Sequence, residues 1–208
     1  GKALQRKGID VAALVSEQSS DAPFEEKPLP FPATHLANPL CTYATALAMR
    51  RSLKHLRPDI VHFVAEPYAL ALPFLGNRRH WRACMTIHGS YAAAFLGKRG
   101  LRGWLAREAY RQMDRIFSVS DFTKQLLIQR DPAFTASAHL AEKIVVLPNA
   151  VDLSRATAGA RRETRGDRKY IISVGAVKAR KGYLEAVEAC ATYRSRFGKP
   201  FLFDIIGS

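Results

Sequence analysis

Residues 115–127 read RIFSVSDFTKQLL, and the order of residue types in this stretch decides the fold class. Ile116, Phe117 and Val119 make a short apolar run of the kind found in strands buried on both faces. Ser120 then offers a hydroxyl to the first unpaired N–H groups of a helix. Asp121 places a negative charge in the first turn, at the positive end of the helix dipole. A strand that passes directly into an N-capped helix is half of a β-α-β unit.

The same grammar recurs on both sides of it. Apolar runs at Ile9–Val15, Asp59–Phe63, Ala83–Ile87, Arg115–Val119, Ile144–Leu147, Tyr170–Val174 and Phe201–Ile206 read as strands. Helical stretches lie between them. One covers about Leu40–Leu56 and is ended by Arg57-Pro58, with Arg50, Arg51, Lys54 and His55 in its last turns. Another runs from about Leu101 to Asp114. A third is opened by Gly182 and closed by Gly198 and Pro200. Such alternation with right-handed crossovers predicts α/β architecture with a mostly parallel, doubly wound, Rossmann-like sheet. Two intervals break the pattern. Val15 to Leu40 carries five prolines (Pro23, Pro28, Pro30, Pro32, Pro39) and reads as an irregular excursion with an extended piece near Pro28–Pro32. Residues 152–168 lack periodicity and read as a linker. Residues 1–151 are thus expected to form one Rossmann-like domain lacking its first strand, and 169–208 the first β-α-β of a second. The opening GKALQRKG and closing FLFDIIGS suggest a piece of a longer protein.

Composition narrows the function. Of 208 residues, 48 % are hydrophobic and 24 % charged, which excludes a disordered or fibrous chain. The longest apolar stretch, Tyr68 to Leu75, carries Pro73 and falls far short of the ~20 residues of a membrane-spanning helix. Cys41, Cys84 and Cys190 are odd in number and outside any CxxC pair, which points to a reducing, cytoplasmic setting. The six histidines show no HxH or HExxH spacing, so no protein-bound metal is expected. With 32 Lys+Arg against 18 Asp+Glu, the net charge of +14 calls for an anionic partner. Nucleic acid is disfavoured as that partner, because no RRM, KH, helix-turn-helix or zinc-finger signature is present.

Open α/β sheets bind ligands beyond the carboxyl ends of their strands. The residues expected there are Glu66, His88-Gly89-Ser90, Ser120, Pro148-Asn149 and Gly175, with Lys178, Arg180 and Lys181 following. Ser120 reads as an N-cap, and His62, inside a strand, as a hydrogen-bonded core histidine. His88 stands out, since it leaves a strand directly and precedes a glycine. The turn Gly175-Ala-Val-Lys-Ala-Arg-Lys-Gly182 leads from strand to helix, and its N–H groups and cations suit a phosphate. It is neither a Walker A loop nor a GxGxxG dinucleotide loop.

Taken together and in order, RPDIVHFV (57–64), MTIHGS (85–90), Glu108 followed by MDRIFSVSDFTKQLL (113–127), KIVVLPNAVDL (143–153) and YIISVGAVKARKG (170–182) resemble the retaining family 4 glycosyltransferases of GT-B fold. The resemblance implies sugar transfer from a nucleotide-diphosphate sugar, with retention of configuration and without a metal held by the protein. The acceptor would be a glycan, a lipid-linked glycan or a small molecule. It implies that His88 and Gly89 line the cleft and contact the transferred sugar or acceptor, with His88 as the catalytic contact. Lys181, with Arg180 and the backbone at Gly175, would hold the diphosphate, and Asn149 would sit at the hinge side. The 1–151 domain would then face the acceptor and the one begun at 169 the nucleotide sugar. Two positions depart from the pattern: Ala176 stands where an arginine is usual, and Pro148-Asn149-Ala150 replaces Pro-Asn-Gly. The paired-glutamate motif of the family is expected beyond residue 208, so the 208 residues alone are expected not to turn over.

Residues 78–115 hold nine Lys/Arg and two acids. On a helix over 101–114, Arg107, Arg111 and Arg115 would form one row beside Trp104, with Leu105, Ala109 and Met113 on the other side. Residues 98–115 are therefore read either as a solvated face or as a peripheral contact with an anionic membrane leaflet. The competing functional readings are a non-catalytic Rossmann-type binding module and another sugar-nucleotide enzyme.

Overall fold

The computed structural model describes residues 2–19, 22, 24–78, 80–89, 94–150, 170–198 and 202–207. The chain divides into two compact units, Gly1–Ala150 and Val151–Ser208. Residues 152–168, read as a linker, lie outside the described residues.

In the first unit a short helix α1 (Lys2–Gln5) leads to β1 (Ala12–Val15), which pairs in parallel with β2 (Glu25–Pro28). The second sheet has four parallel strands in the order β3 (Ile60–Phe63), β4 (Arg82–Ile87), β5 (Arg115–Ser118) and β6 (Ile144–Val146). Helix α2 (Pro39–Leu56) carries the chain from β2 to β3, and α3 (Gly100–Gln112) from β4 to β5. Three shorter helices, α4 (Asp121–Arg130), α5 (Pro132–Ser137) and α6 (Leu140–Lys143), join β5 to β6. Between β3 and β4 the apolar run around Leu70 forms a 3₁₀ helix, Glu66–Phe74, with Ala69 to Leu72 buried.

One continuous core unites these elements. Ala83, Met85 and Ile87 of β4 and Ile116 of β5 pack with Leu70 and Leu72, with Leu105, Ala106 and Ala109 of α3, and with Leu127, Leu140 and Ile144. Burial alternates along β4 and β5. The other face of this sheet, with Ile60, His62, Cys84, Thr86, Phe117 and Val145, is only partly covered, whereas the apolar runs suggested burial on both faces. His62 is accordingly exposed rather than a core residue. Its Nε2 lies 2.8 Å from Thr86 Oγ1 and its ring meets Phe117 edge-on.

Local signals explain the ends of the elements. Asn38 caps α2 by accepting from the Leu40 N–H, and Pro39 occupies its first turn. Arg57, before Pro58, ends it in a left-handed conformation. Ser120 accepts from the Thr123 N–H at 3.1 Å, the N-cap expected from sequence. Helix α3 stops at Gln112, short of Asp114, because Asp114 is already bound to β4: its N–H donates to Ala83 O and its Oδ2 accepts from Ala83 N. Arg115 therefore opens β5 and does not extend the row of Arg107 and Arg111 on the helix. Leu105, Ala109 and Met113 are buried together. The extended piece of the proline-rich excursion lies at 25–28, earlier than the proline spacing suggested.

In the second unit β7 (Tyr170–Val174) pairs in parallel with β8 (Leu202–Ile206), and α7 (Tyr183–Phe197) connects them. Gly182 and Gly198, both left-handed, flank α7 at its two ends.

Candidate functional site

All four strands of the larger sheet run the same way, so the residues that follow them share one edge. The chain leaving β3 supplies Glu66, at the start of the 3₁₀ helix, and the chain leaving β4 supplies His88 and Gly89. Glu66 Oε1 accepts from the His88 N–H at 2.6 Å. The Gly89 N–H reaches the same carboxylate. The turn after β4 is thus held by its main chain, which leaves the imidazole of His88 exposed at the sheet edge. Gly89 has φ +150°, in the region that side chains disfavour, with no atom within 4 Å of where a Cβ would stand. The glycine is needed for the backbone angle and not for space.

Burial raises the pKa of Glu66, and the two N–H bonds and His88 pull it partly back. Tyr110 of α3 is fully buried, which with the charge of Glu66 raises the pKa of its phenol. His62 senses His88, and burial followed by that second ring lowers its pKa. The edge therefore holds a carboxylate fixed on a main-chain turn and an exposed imidazole, with His62 on the adjoining sheet face near enough to sense it. Hydrogen-bonding groups of this kind suit hydroxyl-rich ligands.

Asn149 is exposed on the same edge, three residues beyond the end of β6. The strand it follows, β6, stands two strand spacings from β4, about 10 Å. Ser120, between them, is spent as a cap. Ser90 lies outside the described residues.

The second unit brings Gly175 and Lys181 together. Gly175 directly follows β7 with φ +153°, and its N–H donates to Ile206 O. The stem of Lys181 passes within 4.0 Å of the position a Cβ on Gly175 would take. Arg180 falls in the 3₁₀ turn Ala179–Lys181, and its side chain lies outside what is described. Lys178 and Lys181 are exposed. Sequence reasoning missed Tyr183, whose hydroxyl donates to Gly175 O at 3.1 Å and ties the turn to the first residue of α7. It also missed the Glu66 clamp. Neither has a spacing signal, because both pair a side chain with a main-chain group on another element.

Among the described residues, no cluster of His, Cys, Asp and Glu could hold a metal ion, and no helix is long and apolar enough to cross a membrane.

The model of the family described as Glycosyltransferase Family 4 matches residues 1–155. No curated protein matches the chain. Among solved structures, a glycosyltransferase from Rickettsia africae ESF-5 aligns with 100 % of the chain, at TM-score 0.64 and 16 % identity. MurG of Acinetobacter baumannii aligns with 100 % of it, at TM-score 0.50 and 14 % identity. The chain spans 54 % and 60 % of the lengths of these two proteins. At such identities the likeness is one of fold, and the fold is α/β, Rossmann-like and of GT-B type.

Proposed function

The chain belongs to Glycosyltransferase Family 4, and from that premise we propose that it serves transfer of a sugar from a nucleotide-diphosphate sugar to an acceptor, with retention of anomeric configuration. The observation that carries this reading is the turn at His88 and Gly89. A half-buried carboxylate holds its two N–H groups, and the imidazole stands exposed at the carboxyl edge of a parallel sheet. In this reading His88 touches the sugar in transit or the acceptor hydroxyl, Gly89 lets the backbone approach, and Asn149 contributes from the neighbouring loop. Glu66 acts through His88 as a positioning residue.

The donor diphosphate falls to Lys181, Arg180, the backbone at Gly175 and the N–H groups opening α7. Negative charge grows on the departing diphosphate in the transition state, so fixed cations there lower the barrier as well as bind. No metal or cofactor is assigned to the protein.

The start of α3 supports a peripheral membrane contact on the cytoplasmic face, suited to a lipid-linked acceptor. Leu101 and Trp104, one helical turn apart, are 55 % and 50 % exposed, and Lys98, Arg99 and Arg102 beside them are exposed as well. This patch sits where the chain leaves the sheet's carboxyl edge.

Thermal-shift scans of the full-length protein against UDP-, GDP- and ADP-sugars test the reading. One donor class is expected to raise the transition temperature, with the rise lost in Lys181→Ala. No response to any nucleotide sugar would favour a non-catalytic Rossmann module.

A further inference from the structure

The opposite edge of the four-stranded sheet, where the strands begin, carries a second and unassigned constellation. An open groove of about 530 Å³ is lined by Arg78, Arg111, Asp114, Arg115 and Lys143, among others. Arg78 also lines the adjoining hollow, with Arg82. Arg82 and Arg115 open β4 and β5, and Lys143 immediately precedes β6. The groove therefore stands one strand length from the His88 turn, about 20 Å across the sheet.

Its cations outnumber the acids that face them: Arg111 Nη1 donates to Glu108 Oε2 at 2.6 Å, Arg78 and Arg82 share Asp114, and Lys143 and Arg115 have no carboxylate partner among the described residues. Asp114, one of two carboxylates that line it, is already engaged: Oδ2 accepts from Ala83 N at 2.8 Å and Oδ1 from Arg82 at 3.1 Å. Arg78 Nη1 is buried 3.5 Å from Asp114 Oδ2 and makes no hydrogen bond, a costly state for a guanidinium nitrogen. Arg78 and Arg111 lie over the rings of Trp81 and Phe134, each with its Cζ 5.5 Å from the ring centroid, a cation–π contact that restrains the side chain. Lys143 Nζ donates to Arg111 O at 2.7 Å, and no carboxylate among the described residues pairs with it or with Arg115. Glu142, which also lines the groove, pairs with His139. Burial lowers the pKa of Lys143, with Arg78 and Arg111 adding to the effect and Asp114 opposing it.

We propose that this basal groove binds a phosphate-class dianion, a phosphomonoester held by Lys143 and the guanidinium groups of Arg78, Arg111 and Arg115, at a site distinct from the sugar-transfer edge. Guanidinium groups match two phosphate oxygens at once, and the Lys143 ammonium adds a point charge.

Calorimetric titration of the chain at constant ionic strength tests it, with inorganic phosphate as one probe and short-chain phosphatidic acid below its micelle concentration as the other. Saturable 1:1 binding of at least one probe is expected. It should weaken about tenfold in Lys143→Met, the scale of one charge-assisted hydrogen bond. Arg115→Gln, at an exposed side chain, should weaken it too, whereas Lys181→Ala and the charge-matched control Arg102→Gln should not. A preference between probes assigns the source as free phosphate or lipid headgroup. No binding of either probe overturns the proposal. So does binding that Lys181→Ala abolishes, which would place the anion at the donor turn, or binding that Arg102→Gln weakens as much as Lys143→Met.

Discussion

Replacing Glu66 with alanine removes the acceptor that holds the His88 and Gly89 N–H groups, without touching the imidazole itself. A hydrogen bond to a charged group is worth about 1.5–3 kcal/mol. The burial that raises the pKa of Glu66 works against it, and water can reach the exposed His88 once the carboxylate is gone. The net cost of Glu66→Ala should therefore be about 1 kcal/mol in urea unfolding. Glu66→Gln keeps an acceptor oxygen but cannot titrate. Because the folded pKa lies above the ordinary carboxylate value, the native chain keeps a proton between those two values that the unfolded chain has released. The contribution of Glu66 is therefore fully present below the ordinary pKa and is lost as pH rises through the folded one. The difference in stability between wild type and Glu66→Gln should follow that course, falling as pH rises above the ordinary carboxylate range. In the full-length protein, sugar transfer should fall about tenfold in Glu66→Ala and less in Glu66→Gln, since tenfold corresponds to ~1.4 kcal/mol. A pH-independent difference curve, together with wild-type transfer by Glu66→Ala, would refute the clamp.

Three further outcomes are expected. Ser120→Ala loses the cap bond to Thr123 N and about 1 kcal/mol of stability in urea unfolding, with donor affinity unchanged in calorimetry. Tyr183→Phe deletes the bond to Gly175 O and should weaken donor binding by the full-length protein about fivefold, for ~1 kcal/mol, whereas unchanged affinity would separate that bond from the diphosphate turn. Trp104→Ser should reduce co-sedimentation with anionic vesicles at low salt and leave binding to neutral vesicles unaltered.

What the sequence made legible was local. Ser120 and its helix, the glycines at both ends of α7, and the strands from β3 to β8 all announce themselves by residue type and period. The boundaries that shifted did so through long-range contacts. Asp114 belongs to β4 by its hydrogen bonds to Ala83, so helix α3 ends early and Arg115 becomes a strand residue. β2 carries Glu25, Glu26 and Lys27 and has no apolar signal, because it is recruited by pairing with β1. His62 read as interior because its neighbours in the chain are apolar, yet the face it shares with Cys84 and Thr86 is the one left partly open. The candidate site divides in the same way. His88, Gly89, Gly175 and Lys181 were visible as residues at strand ends. Glu66 is a clamp only because β3 and β4 are neighbours, and Tyr183 is a tie only because α7 begins beside Gly175. The stretch 78–115, one basic stripe on paper, separates by the length of α3 into a patch at Lys98 to Trp104 and a groove at Arg78, Arg111 and Arg115.

The central claim is that this family 4 chain serves sugar transfer through the turn at His88. The direct measurement is release of nucleoside diphosphate coupled to acceptor glycosylation by the full-length protein, in wild type and in His88→Ala. The account predicts transfer by wild type and a loss of 10²-fold or more in kcat for His88→Ala, on the scale of a group acting in the transition state, with donor affinity little changed. Transfer by His88→Ala at the wild-type rate would contradict it.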